Sequence, residues 1–99
     1  MNRNRLSLID VTPHDFLKLY GGMVRMLQTL QQAGPSGLST NEAGLKVFGS
    51  RSYGWRILKQ ANEMGYVTRE KLPREEGGHY YIVNRLTDEG RRLLQELMK

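Results

Sequence analysis

A break of only two residues between two predicted helices constrains the fold of this chain most. The segment from Ser39 to Glu42 has the capping-box pattern that starts a helix, and Gly49 is typical of the end of one. Ser50 then caps a further helix predicted over residues 51–64, with Gly65 as its C-cap. Two helices joined by so short a turn have the layout of a helix-turn-helix.

A long helix precedes this pair. Thr12 is a favourable N-cap, Pro13 suits the first helical position, and Gly34 followed by Pro35 predicts the end of the helix. Two glycines, Gly21 and Gly22, lie in its middle, where each costs about 1 kcal/mol relative to alanine. They are either tolerated weaknesses or sites where another element approaches closely.

After Gly65 the pattern changes from helical to extended. Residues 66–71 and 80–85 are rich in β-branched and aromatic side chains, and the segment 72–79 between them contains proline and paired glycines. Thr87 then caps a last helix. We therefore predict an α+β fold with three helices, a two-stranded hairpin and a C-terminal helix. Residues 12–99 form one domain in this prediction, preceded by an apolar leader over residues 1–11, part of which we expect to dock on another surface.

Two segments resemble a known family. Residues 58–67 look like the end of a recognition helix that runs through its glycine into a first wing strand, and residues 86–94 look like the exit from a second wing strand. Both are similar to winged helix-turn-helix proteins, in particular small prokaryotic regulators of the multiple-antibiotic-resistance-repressor and phenolic-acid-repressor kinds. The resemblance covers about residues 13–98, with departures at Ala61 and at the glycine pair of the first helix. It implies a DNA-binding fold whose wing lies along the DNA backbone or enters the minor groove.

Composition excludes several classes of protein. The 99 residues include no cysteine, which excludes disulfide scaffolds, zinc fingers and thiol catalysis. The two histidines, His14 and His79, lie in no catalytic signature, and Gly77–Gly78 is a turn rather than a phosphate-binding loop. No apolar run approaches the roughly 20 residues that span a bilayer. We therefore expect no enzymatic activity, no cofactor and no metal, and a cytoplasmic, nucleoid-associated protein.

The positive charge is concentrated in the helix-turn-helix. The net charge is +5, from 15 Lys and Arg against 10 Asp and Glu. Between residues 43 and 62 there are four basic residues and no acidic one, which favours DNA contact over a merely solvated face. On a helical wheel, Arg56, Lys59 and Gln60 lie opposite the apolar face of the third helix. The residues predicted to contact DNA are Lys46, Arg51, Ser52, Tyr53, Arg56, Lys59, Gln60, Arg69, Lys71 and Arg74.

Two aromatic residues on the third helix are assigned differently. Trp55 lies at the border of the apolar face, so we expect its ring to close the rim of the core rather than to contact DNA. Tyr53 lies further towards the polar face, where contact with a phosphate or a thymine methyl is as plausible as packing.

The first helix suggests a dimer. Apolar positions within residues 16–33 spread over roughly 200° of the helical wheel, whereas packing on one core needs little more than about 100°. The leader, the last helix or a second subunit must cover the remainder, and we favour a homodimer. The candidate interface residues are Phe16, Leu19, Tyr20, Met23, Leu27, Leu94, Leu97 and Met98.

These features predict a sequence-specific, double-stranded-DNA-binding protein, a dimeric transcriptional regulator. The third helix would read the major groove, and wing 66–86 would contact the backbone or the minor groove. Two alternatives stay open: an architectural or partition-type DNA-binding protein, and a winged-helix protein-interaction module that binds no DNA. The sequence identifies no operator and no small-molecule effector.

Overall fold

The elements follow the predicted order with one addition, a two-residue strand. The computed structural model describes residues 13–74, 77 and 79–98, with side chains from residue 20 onward, so the predicted leader and the Thr12 cap lie outside the described residues. The elements are α1 (Pro13–Ala33), a 3₁₀ turn (Gly34–Ser36), β1 (Leu38–Ser39), α2 (Thr40–Phe48), α3 (Arg51–Glu63), β2 (Val67–Pro73), β3 (Tyr80–Leu86) and α4 (Asp88–Leu97).

The helix ends form as their sequences predict. In the capping box, Ser39 Oγ accepts a bond from the Glu42 amide, and Glu42 Oε1 accepts one from the Ser39 amide, both at 3.2 Å. Ser50 Oγ caps α3 by accepting from the Tyr53 amide at 3.1 Å, and Thr87 Oγ1 caps α4 in the same way. At the end of α3, Met64 rather than Gly65 holds the cap position, and the glycine follows it.

The strands form one antiparallel sheet of order β1-β3-β2 rather than an isolated hairpin. β1 contributes only two pairs, Leu38 with Asn84 and Ser39 with Val83. A two-residue strand carries no detectable periodicity, so only its partner strand reveals it. The hairpin is also longer than predicted, since the pairing of β2 with β3 continues to Pro73 and Tyr80.

The core lies between α1, α3, the start of the hairpin and α4. It includes Met26 and Leu30 of α1, Leu58 and Ala61 of α3, and Leu93 of α4. Four residues predicted at a dimer interface are buried in this same core: Met23, Leu27, Leu94 and Leu97. The chain's own packing therefore explains much of the wide apolar arc on α1, and each of these four residues exposes at most 8% of its surface to a partner.

The rest of the predicted interface is placed differently. Met98 is 53% exposed, and Tyr20 is half-buried against the core. The side chains of Phe16 and Leu19 lie outside those described. The backbone of Tyr20 is not helical (φ −127°, ψ 28°), so α1 bends just before its glycine pair.

The backbones of α2 and α3 touch where the two helices cross. A Cβ placed on Gly54 would lie less than 3.0 Å from Gly44 Cα, and one placed on Gly44 would lie 2.7 Å from the Ser50 carbonyl oxygen. Real Cβ atoms essentially never come so close to backbone. This contact between two glycines sets how deeply α3 sits against α2.

Candidate nucleic-acid interface

The exposed face of α3 is polar and basic. Arg51, Ser52, Arg56, Lys59 and Gln60 are exposed, while the opposite face buries Gly54, Leu58 and Ala61. Lys46 of α2 is exposed as well. The structure thus exposes Ser52, Arg56, Lys59 and Gln60 opposite the buried face of α3, where helical periodicity places them.

The Tyr53 ring packs against neighbouring residues on one side and is exposed to solvent on the other. Its ring meets that of Phe48 edge to face, with 4.5 Å between centroids, and it remains partly exposed. Its hydroxyl lies towards Gly22 of α1, where an added Cβ would be 3.5 Å from it. The ring therefore braces α3 against α2 and α1, and only part of it faces outward.

Trp55 does not close the rim of the core, contrary to the expectation from the wheel. It is 47% exposed and is not among the residues packed into the core. Its ring instead lies under the Lys59 ammonium, 5.1 Å from the ring centroid. The burial of a residue at the border of a helical wheel depends on which element lies beside it. Trp55 lies beside the open side of the wing rather than beside α1.

Two of the hairpin's basic residues are turned to internal partners. Arg69 Nε donates to Asn84 Oδ1 at 3.0 Å, and its terminal nitrogen donates to Thr40 Oγ1 at 3.1 Å. Burial lowers the pKa of the Arg69 guanidinium from its ordinary value. Arg85 pairs with Glu70 at 2.8 Å and donates to the Pro35 carbonyl. Arg69 therefore has a structural role within the chain, and the DNA contact predicted for it stays a prediction.

Lys71 and Arg74 are exposed and lie over aromatic rings of β3. The Lys71 ammonium is 4.7 Å from the centroid of Tyr80, and the Arg74 guanidinium is 5.6 Å from that of Tyr81. Arg69, Lys71 and Arg74 are the three wing residues predicted to contact DNA. Of these, Lys71 and Arg74 remain available to bind phosphate.

A buried amide that sequence reasoning missed joins the wing to α2. Asn84 is 0% exposed, and its Nδ2 donates to the Leu38 carbonyl at 3.0 Å and to Thr40 Oγ1 at 3.1 Å. With the bond that Asn84 accepts from Arg69, the amide links β1, β2, β3 and the first residue of α2. The available signal was an asparagine inside a β-branched and aromatic run, where asparagine is disfavoured.

Replacing Asn84 by alanine is expected to lower the free energy of unfolding by about 2 kcal/mol, because partly buried donors and acceptors of Leu38, Thr40 and Arg69 lose a partner. Chemical denaturation measures the change. Thr68→Ala is the matched control on the same sheet, since Thr68 is exposed and makes only a 3.5 Å bond. Equal stability of the two variants would contradict the network.

An open groove separates α3 from the wing. Its volume is about 230 Å³, and its walls include Thr40, Asn41, Trp55, Arg74, Tyr80 and Tyr81. A second depression, lined by Arg51, Ser52 and Arg56, shares Trp55, Thr40 and Asn41 with it. The groove and the exposed face of α3 are therefore one continuous surface.

The described residues hold no cluster of three or more His, Asp and Glu side chains placed to bind a metal ion. His79 is exposed, and the side chain of His14 lies outside those described. Within the described ranges, no helix combines the length and hydropathy required to cross a membrane.

No family model and no curated protein sequence matches the chain. A solved structure does match: the PcaV transcriptional regulator from Streptomyces coelicolor, in complex with its natural ligand. The match covers 99% of this chain and 76% of that one at 23% identity, with a TM-score of 0.59. The chain has a winged helix-turn-helix fold. This winged-helix architecture confirms the fold predicted from the sequence, including its α+β class.

Proposed function

We propose that this winged-helix protein is a transcriptional regulator that binds duplex DNA in a sequence-specific way. The observation that carries the proposal is the exposed surface of α3, which presents Arg51, Arg56 and Lys59 and only one acidic residue, Glu63 at its end. An α-helix fits the major groove, and a surface with this excess of positive charge favours the polyanion over a neutral partner. That a regulator shares the fold adds support.

The side chains divide into base-reading and backbone-anchoring groups. Arg56 suits the O6 and N7 acceptors of guanine, Gln60 suits adenine, and Ser52 suits either base. Phosphate anchoring falls to Lys46, Arg51 and Lys59 on the helix-turn-helix and to Lys71 and Arg74 on the wing.

The proposed active form is a homodimer. A two-fold axis would present two copies of α3 to half-sites about one helical turn apart. Because four of the predicted contacts are buried, the interface we propose centres on Phe16, Leu19, Tyr20 and Met98. Light scattering coupled to gel filtration tests it, with an expected mass of twice the 11.4 kDa chain.

A footprint on genomic fragments at low salt tests the proposal as a whole. A single protected palindrome is expected for a regulator. Continuous protection of the fragment would identify an architectural or partition-type protein. Absence of any protection at low salt would overturn DNA binding and leave a protein-interaction module.

Arg56→Ala and Lys59→Ala are expected to affect binding in different ways. Loss of Arg56 should remove about 2 kcal/mol of discrimination at one guanine position, because a bidentate contact to that base disappears. Loss of Lys59 should weaken binding to every duplex alike, because a phosphate contact carries no sequence information. Competition titrations with single-base-pair variants of the site measure both effects. Identical profiles for the two variants would refute the assignment of α3 to the groove.

A further inference from the structure

Large aromatic side chains line the groove between α3 and the wing instead of lying in the core. Trp55 on α3 is 47% exposed, Tyr80 on β3 is 61% exposed, and Tyr81 stands beside them. Exposed aromatic rings that line a concave surface are costly in water and typical of binding sites. Their position is not explained by packing within the chain.

Each of these rings carries a cation over it. Lys59 lies over Trp55, Lys71 over Tyr80 and Arg74 over Tyr81, with distances to the ring centroids of 5.1, 4.7 and 5.6 Å. Arg74 therefore places positive charge in the groove itself, and Lys59 and Lys71 place it over rings that line the groove. Thr40 and Asn41, the first two residues of α2, line the same groove, and the Glu42 carboxylate offsets the positive end of that helix dipole.

Charge and shape together favour a sugar–phosphate strand as the occupant. The cations supply partners for phosphates, and the apolar rims of the rings suit the carbon face of deoxyribose. A cation already covers one face of each ring, which leaves less room for stacked bases than for sugars packed against ring edges. The groove also continues into the depression beside Arg51 and Arg56, on the face of α3.

We propose that this groove binds one sugar–phosphate strand of the duplex where it passes between the recognition helix and the wing, an inference that rests on the proposed function. Trp55 and Tyr80 pack against consecutive deoxyriboses, while Lys59, Lys71 and Arg74 bind the adjoining phosphates. The groove therefore contributes affinity for all sequences, and Arg56 and Gln60 contribute the discrimination among them.

Trp55 is the single tryptophan of the chain, so its fluorescence reports on the groove directly. The experiment titrates the full-length protein with a dye-labelled duplex and records dye anisotropy and acrylamide quenching of tryptophan emission in parallel. The expected result is a loss of acrylamide accessibility that follows the same isotherm as the anisotropy.

The outcomes separate the groove from the function as a whole. A rise in anisotropy with unchanged tryptophan accessibility would overturn the groove proposal and leave DNA binding intact. No rise at low salt would overturn both. A change in tryptophan emission on dilution, without DNA, would show that a second copy of the chain occupies the groove, and would overturn the proposal.

Substitutions give an independent readout. Trp55→Ala and Tyr80→Ala are each expected to lower affinity roughly three- to tenfold for every duplex sequence, the loss typical of an aromatic contact. Leu45→Ala is the matched control, because Leu45 is also 47% exposed but lies on α2 outside the groove. Melting temperatures verify that the variants fold. A Trp55→Ala affinity equal to that of Leu45→Ala would contradict the proposal.

Discussion

The affinity of this protein for duplex DNA is expected to fall by about 10³–10⁵ between 50 and 200 mM salt if a dimer makes six to ten phosphate contacts. Each neutralised phosphate releases condensed counterions, so the logarithm of the binding constant falls linearly with the logarithm of salt concentration. The exposed cations that we assign to phosphate contacts are Lys46, Arg51, Lys59, Lys71 and Arg74. Anisotropy titrations at several salt concentrations give the slope.

Removing one of these cations has a defined effect on that slope. Lys71→Ala is expected to reduce its magnitude by about 0.9 for each copy in the complex, which is the contribution of one phosphate contact. Arg92→Ala removes the same charge from the exposed face of α4, away from α3 and the wing, and serves as the control. A slope unaffected by Lys71→Ala but reduced by Arg92→Ala would place the DNA on a different surface.

Gly54→Ala is expected to destabilise the fold by about 3 kcal/mol, near the upper end of the usual cost of overpacking. The added methyl group would collide with the Gly44 backbone, which has no rotamer through which to move aside. Relief requires α3 to shift relative to α2, so DNA affinity should fall along with stability. Thermal and chemical denaturation measure the first effect, and anisotropy measures the second.

The same substitution elsewhere in a helix provides the control. Gly21 has no atom within 4 Å of the place where its Cβ would be, so Gly21→Ala is expected to stabilise the protein by about 0.5–1 kcal/mol. A loss of stability in Gly54→Ala together with a gain in Gly21→Ala would establish the backbone contact where α2 and α3 cross. A stable, DNA-binding Gly54→Ala variant would show that α2 and α3 tolerate a wider separation.

Local signals were sufficient for most of the fold. Signals that act within one turn of chain could be predicted from the sequence. They are the Ser39–Glu42 capping box, the Ser50 and Thr87 caps, and the glycine at residue 49. The exposed basic face of α3 follows from helical periodicity in the same way. Contacts between distant segments could not be predicted from the sequence. The residues predicted at a dimer interface are an example. The sequence predicts that the apolar arc on α1 needs cover, and the core of the chain itself supplies much of it.

The residues of the candidate site divide in the same way, into those placed by local helix geometry and those placed by contacts between distant segments. Helical periodicity alone places Ser52, Arg56, Lys59 and Gln60 on one face of a helix, because residues three and four positions apart lie on the same side. The inward turn of Arg69 towards Asn84 could not be predicted locally, because that pairing joins strands whose register no local pattern fixes. The exposure of Trp55 likewise depends on tertiary packing, because whether a residue at the border of an apolar face is covered depends on distant segments, and the core does not include Trp55.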